Sequence, residues 1–317
     1  MKLLKLGILP SLFLMLSAMT LLAGPSSRGG GVKTDGVPVK MTVTASVDKG
    51  RNLPEITQED VFVKSGKETL QVLEWSAARG ERAGLELFIL MDDASTSSLG
   101  SQLNDLRSFI LSLPSTASVG VGYARNGTVE IRQNFTTDHE LASKALRLPV
   151  SSAGAFGSPY LSVVDLMKRW PETANRREVL LVTDGIDRAG RGRNAMLNPD
   201  VDTAATVAQK TGTMVHTMYF PGAGHHFRNW FVAVSGQNAM AKLSNFTGGE
   251  CYFLGTQNPV SFAPYLDELR NVLGNQYLLT LSVKPAKKAV FQTVTVGTEV
   301  AGVDFNGPDA VWVPPSR

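Results

Sequence analysis

The stretch Leu85-Glu86-Leu87-Phe88-Ile89-Leu90-Met91 constrains this chain more than any other, because it is apolar on both alternating faces apart from one glutamate. A strand with one wet face alternates apolar and polar residues. One that is apolar throughout is covered on both sides, as in a parallel sheet with helices above and below. The residues that follow fit that arrangement. Leu99, Leu103, Leu106, Ile110 and Leu113 recur at helical spacing until Pro114 stops the helix. Val119 to Tyr123 reads as a strand, Asn126-Gly127 as a hairpin turn, and Val129 with Ile131 as the return strand. Leu161, Val164, Met167 and Trp170 line a helix, and Val179 to Val182 is again a buried strand. Val201, Ala204, Ala205 and Ala208 line another helix before a strand from Met214 to Tyr219. A helix ending at Thr247 leads to a strand at Cys251 to Leu254, and Phe262, Leu266, Leu269 and Leu273 line the last helix. This alternation predicts an α/β fold over residues 83–275, a doubly wound, mostly parallel Rossmann-like sheet.

The flanks are β-only. In 37–80, Val39, Met41, Val43, Ala45 and Val47 alternate with mostly polar residues, and shorter strands are expected at Val61–Val63 and Leu70–Val72. In 276–317, strands are expected at Tyr277 to Val283, Phe291 to Val296 and Ala310 to Val313. The two segments are predicted to pair into one small β-sandwich. Residues 1–24 have the form of a signal peptide: Lys2 and Lys5, a mostly apolar run from Leu6 to Leu22, then the small residues Ala23 and Gly24. Residues 25–36 are Gly- and Ser-rich and are expected to be a linker. The expected location is secreted or periplasmic, with a membrane association only if the leader stays uncleaved. Without the leader, 29 basic residues face 28 acidic ones, a balance that argues against nucleic acid as a partner. Cys251 is the one cysteine, so no internal disulfide forms, and its apolar surroundings predict a buried, inert thiol.

At the end of the first buried strand the chain reads Asp92-Asp93-Ala94-Ser95-Thr96-Ser97-Ser98. Asp93, Ser95 and Ser97 form D-x-S-x-S, a carboxylate and two hydroxyls at alternate positions. These are hard oxygen ligands, suited to Mg²⁺, Mn²⁺ or Ca²⁺ rather than zinc. The later strand ends in Val182-Thr183-Asp184-Gly185. Both strands are central in the predicted order, so Asp93 and Asp184 are expected to meet where the strand order reverses. The D-x-S-x-S loop, the strand ending in Thr-Asp-Gly, and the helix followed by Thr247-Gly248-Gly249 and a strand resemble the von Willebrand factor A domain. Gln276-Tyr277-Leu278-Leu279 and the flanking β segments are similar to a bacterial exported subfamily of it.

The resemblance implies a metal-ion-dependent adhesion site in which Asp93, Ser95, Ser97 and Asp184 hold Mg²⁺ (or Mn²⁺ or Ca²⁺). The serines would coordinate directly and Asp184 through water, leaving one position open for an acidic residue of a partner protein. The family's middle loop offers Gly-Thr before its helix; here it is Phe156-Gly157-Ser158-Pro159-Tyr160, and Ser158 is the candidate for the missing hydroxyl. The function implied is partner binding through the cation, not catalysis.

Other readings stay open. Ser95 and Ser97 are also suited to capping the following helix, Asp92 to tuning the site, and Asp187 to capping a helix or a loop. His225 and His226, with Phe227, Trp230 and Phe231, lie in an insertion from Pro221 to Gln237 that is expected at the rim of the site. Arg188 to Arg193 reads as an exposed loop, solvated or contacting an anion. There is no G-x-S-x-G elbow, no Cys–His pair suited to catalysis and no phosphate loop of the Walker type. A metal-dependent hydrolase or phosphatase using Asp92 and Asp93 would want D-x-D, and position 94 is Ala. An exported structural module with a lapsed metal site is a further alternative.

Overall fold

The computed structural model describes residues 36–48, 51–150, 157–173, 175–188, 200–222, 230–253 and 259–315. The expected signal peptide, and the linker apart from Gly36, lie outside them. The N-terminal segment forms β1 (Val37–Val47), β2 (Val61–Ser65) and β3 (Glu68–Ala77). The α/β region follows with β4 (Leu85–Asp92), α1 (Leu103–Ser112), β5 (Ala117–Arg125), β6 (Thr128–Thr136), α2 (His139–Lys144) and α3 (Pro159–Arg169). It continues through β7 (Arg176–Thr183), α4 (Asp200–Thr211), β8 (Thr213–Tyr219), α5 (Trp230–Thr247), β9 (Cys251–Tyr252) and α6 (Ala263–Gly274). The C-terminal segment adds β10 (Gln276–Val283), β11 (Val290–Thr293), β12 (Thr295–Thr298), β13 (Val303–Asn306) and β14 (Ala310–Val313).

The central sheet runs β6-β5-β4-β7-β8-β9. Every pairing in it is parallel except the β5–β6 hairpin, whose turn places Asn126 (φ 52°) and Gly127 (φ 75°) in the left-handed conformation that tight hairpins need. All of β4 is buried, and its alternation sorts the side chains onto two faces. Leu87, Ile89 and Met91 pack with Leu106 and Ile110 of α1 and Leu266 and Leu269 of α6. Phe88 and Leu90 pack on the other face with Val163 of α3, Ala204 of α4 and Leu243 of α5. Each fully buried Leu, Ile or Phe contributes roughly 1.5–3 kcal/mol, so this strand is the axis of the fold. The short α2 was not expected from periodicity. Asp138 starts it, its side chain accepting the Leu141 amide at 3.0 Å.

The terminal segments do share a sheet. Its order is β12-β2-β3-β10-β1-β13, with β10 entering directly after α6 between β1 and β3. The expected strand at Phe291–Val296 is broken at buried Val294: β11 pairs with β14, while β12 crosses to pair with β2. Val294, Val311 and Val313 cover Val39, Met41, Leu279 and Leu281, which makes the second layer of the sandwich. Trp75 stacks on Tyr277, ring centres 4.5 Å apart.

Candidate functional site

The strand order reverses between β4 and β7, so their carboxyl ends frame a crevice of the kind that holds ligands in such sheets. Side-chain parity decides what points into it. Leu90 faces α3, and Asp92, two residues on, continues that face toward Ser158, the residue that caps α3. Asp92 is buried. Its Oδ1 accepts the Ala94 amide at 2.9 Å and its Oδ2 accepts the Thr183 hydroxyl at 2.7 Å. Asp184 is buried beside it, with Oδ1 accepting the Ile186 amide at 3.0 Å.

Arg188 closes the group. Its Nη2 bonds Asp184 Oδ2, its Nη1 donates to Asp184 Oδ1 at 3.1 Å, and Nη1 lies 3.7 Å from Asp92 Oδ2. The Arg188 amide donates to Gly157 O at 3.1 Å, tying this loop to the start of α3. Gly222 presses on the ion pair from outside: a Cβ there would lie 2.0 Å from Asp184 Oδ2 and 2.3 Å from Arg188 Nη2. Burial alone would lower the Arg188 pKa, but the two carboxylates outweigh it and hold the guanidinium more firmly protonated than usual. Burial pushes the Asp92 carboxyl above the usual carboxylate range; Asp184 adds to that, while Arg188, Thr183 and the Ala94 amide oppose it.

The expected meeting of Asp93 with Asp184 is corrected by this arrangement. Asp93 continues the opposite face of β4, beyond Met91, and is bound there by Arg147. Arg147 Nη1 and Nη2 donate to its two oxygens at 2.7 and 3.2 Å, and the Val150 amide adds a third bond at 2.9 Å. The guanidinium of Arg147 lies 3.7 Å over the Tyr123 ring, and the Tyr123 hydroxyl bonds both the amide and the carbonyl of Arg147. Asp93 is therefore the anchor of the 147–150 loop.

The serines are dispersed. Ser95 is buried and bridges Gly222 in antiparallel fashion, and its amide donates to Asp92 O. Ser97 is exposed and starts a 3-10 turn that leads into α1. Ser158 is brought to Asp92: both line a cavity of about 10 Å³ with Asn126, Gly127 and Ser162. Its buried hydroxyl oxygen has no hydrogen-bond partner among the described residues. That space suits about one water.

A divalent cation does not fit this donor set while Arg188 is in place. Counted from Asp92, the carboxylate that actually faces the crevice, the alternate positions are Ala94 and Thr96. Ala94 offers no side-chain oxygen, and the Thr96 hydroxyl is hydrogen-bonded to Ser98. Asp184 is already paired with a guanidinium on both oxygens. Among the described residues no three His, Cys, Asp or Glu side chains are grouped to hold an ion.

Arg188 itself departs from expectation: its side chain is 14% exposed and inside the site. The rest of the 189–193 loop, and His225, His226 and Phe227, lie outside the described residues. Trp230 and Phe231 begin α5 with 63% and 67% of their surface exposed, ring centres 5.1 Å apart. Cys251 is half-buried, and burial pushes its thiol up to about 11, with the Thr217 hydroxyl bond opposing and Glu250 adding. Sequence reasoning missed the role of Arg188. The signal was its position four residues beyond Asp184, in a loop with no helix to explain the pairing.

No protein-family model and no curated protein matches the sequence. Among solved structures, the chain is similar to a von Willebrand factor type A protein from Catenulispora acidiphila, at 9% identity over 90% of this chain and 75% of that one, TM-score 0.46. It is also similar to an aerotolerance-related membrane protein from Bacteroides fragilis, at 12% identity over 60% of this chain and 98% of that one, TM-score 0.43. The conserved hypothetical protein BatB from Bacteroides thetaiotaomicron stands at 13% identity, covering 60% and 97%, TM-score 0.43. The fold is von Willebrand factor A-like by its own strand order and the placement of its Asp-containing loops.

Proposed function

We propose that this von Willebrand factor A-like chain is an exported, non-catalytic binding module that engages a partner protein at the crevice between β4 and β7. The observation that carries this reading is the convergence of Asp92, Asp184, Ser158 and Arg188 at the point where the strand order reverses. Buried charge is expensive, and its concentration at the carboxyl edge of the sheet, where packing does not require it, favours a recognition role. Export rests on the leader-like residues 1–24, and the destination is the periplasm or the exterior.

The resemblance would place Mg²⁺, Mn²⁺ or Ca²⁺ in this crevice, with a partner carboxylate completing its coordination. Two carboxylates and the Ser158 hydroxyl, which has no partner among the described residues, favour that version; the Arg188 pairing opposes it. The crevice is the proposed binding face in either version.

The test is site-specific photo-crosslinking in cells that express the exported chain. A crosslinker at exposed Ser97, on the crevice side, is expected to trap a protein. One at exposed Glu172, at the opposite end of the sheet, is expected not to, and Asp184→Asn should abolish the adduct from position 97. Equal labelling from both ends, or none from position 97, refutes the crevice as the binding face.

A further inference from the structure

We infer that Arg188 is the resident cation of this crevice, standing where a divalent ion would sit, so that the native chain excludes Mg²⁺ and Mn²⁺ and loss of this one side chain admits them. The inference deepens the proposed function and rests on its reading of the crevice as the binding site.

An ion shared by Asp92 and Asp184 would need oxygen contacts of about 2.0–2.6 Å. The guanidinium already holds both Asp184 oxygens, and its Nη1 lies 3.7 Å from Asp92 Oδ2. A planar fork of this kind satisfies a carboxylate on two atoms at once, which a single point charge does not. The position is enforced from several sides. The Arg188 backbone is fixed by Gly157 O, Nη1 also reaches Ile186 O at 3.4 Å, and Gly222 leaves no room beyond Nη2. Gly222 is itself pinned by its bridge to Ser95 in the loop after β4.

Two further features show that the place is suited to an ion and that this chain fills it otherwise. The Ser158 hydroxyl is 1% exposed, lacks a partner among the described residues and shares the small cavity with Asp92. The first alternate position after Asp92 is Ala94, so an oxygen a bound ion would want is a methyl group. Charge follows the same direction. Among the described residues one guanidinium meets the carboxylates of Asp92 and Asp184, with Asp187 also buried nearby, which leaves the site negative or protonated, whereas a divalent ion would neutralise the Asp92–Asp184 pair. A crevice so charged does not draw a partner's carboxylate to an open metal position. Recognition in the native chain therefore proceeds without metal.

The experiment is MnCl₂ titration into the purified, EDTA-stripped chain, followed by Mn²⁺ paramagnetic resonance and by calorimetry. Native protein and Arg188→Lys are expected to bind no Mn²⁺ up to about 1 mM, the weak end of extracellular cation sites. Arg188→Gln is expected to bind one equivalent at least about a hundredfold more tightly, the scale of a buried ion pair no longer in competition. Its melting temperature should fall in EDTA and recover with Mn²⁺. Native protein binding one equivalent as tightly as Arg188→Gln overturns the inference, and so does a folded Arg188→Gln that binds none. If Arg188→Gln folds only when Mn²⁺ is present, the inference stands, because the ion has then replaced the side chain. Absence of the crosslink from position 97 in the otherwise native chain would instead refute the proposed function, and that readout needs no metal.

Discussion

Replacing Asp93 by Ala separates a metal ligand from a structural anchor. Asp93 is fully buried, and its two oxygens take the Arg147 fork at 2.7 and 3.2 Å together with the Val150 amide at 2.9 Å. Removing a partner from a fully buried pair costs about 3–5 kcal/mol because the remaining charge is stranded. Here the Arg147 side chain is 27% exposed, and Glu130 waits 3.8 Å from its Nη2, so part of the loss is recovered by water and by that carboxylate. Charge-assisted hydrogen bonds contribute about 1.5–3 kcal/mol in folded proteins, which puts Asp93→Ala at roughly 2–3 kcal/mol. Urea denaturation of the native chain, Asp93→Ala, Arg147→Ala and the double variant gives the coupling directly. We expect it to reach about 1.5–2.5 kcal/mol, with the double variant little worse than either single one. A cost below about 0.5 kcal/mol with no coupling, accompanied by a change in Mn²⁺ behaviour, would refute the anchoring role and return Asp93 to the metal site.

Three other outcomes follow from the same geometry. Gly222→Ala would force a methyl into the Asp184–Arg188 pair and should destabilise by about 1–3 kcal/mol in urea, whereas a neutral result would mean that the loop yields freely. His216 Nδ1 accepts the Glu250 amide at 3.0 Å, so Nε2 carries the ring proton toward Glu178 at 2.7 Å. His216→Leu removes the hydrogen bond to that buried carboxylate, which keeps only Arg176 at 3.9 Å, and should cost about 1–3 kcal/mol; a change under about 0.5 kcal/mol would contradict the pairing. The thiol of Cys251 is raised to about 11 in the folded chain. Its contribution to stability is therefore complete below the ordinary thiol range and lost as pH rises through about 11. Iodoacetamide should label folded protein far more slowly at pH 8 than unfolded protein, and rapid labelling of the folded chain would refute the burial.

The legible parts of this molecule were those where periodicity and burial coincide. Leu85–Met91 could only be a strand covered on both faces, and Asn126-Gly127 could only turn tightly. The shared sheet of the two termini followed because half-buried strands at both ends need partners. The split at Val294 was illegible, since Phe291–Val296 reads as one alternating run and only the packing shows two sheets sharing it. At the site, two adjacent carboxylates made the register ambiguous. The D-x-S-x-S spacing selected Asp93, but parity counted from Leu90 selects Asp92, and the fold obeys parity because a strand's faces are fixed by its backbone. Arg188 was out of reach because its partner is set by the path of a loop, which carries no period.

A crystal of the chain grown with MnCl₂, with diffraction collected at the manganese absorption edge, decides whether Arg188 or a divalent ion occupies the crevice. No anomalous peak is expected between Asp92 and Asp184, with the Arg188 guanidinium paired to Asp184 in that place. A peak within about 2.0–2.3 Å of oxygens from both carboxylates, with Arg188 turned away, would contradict it.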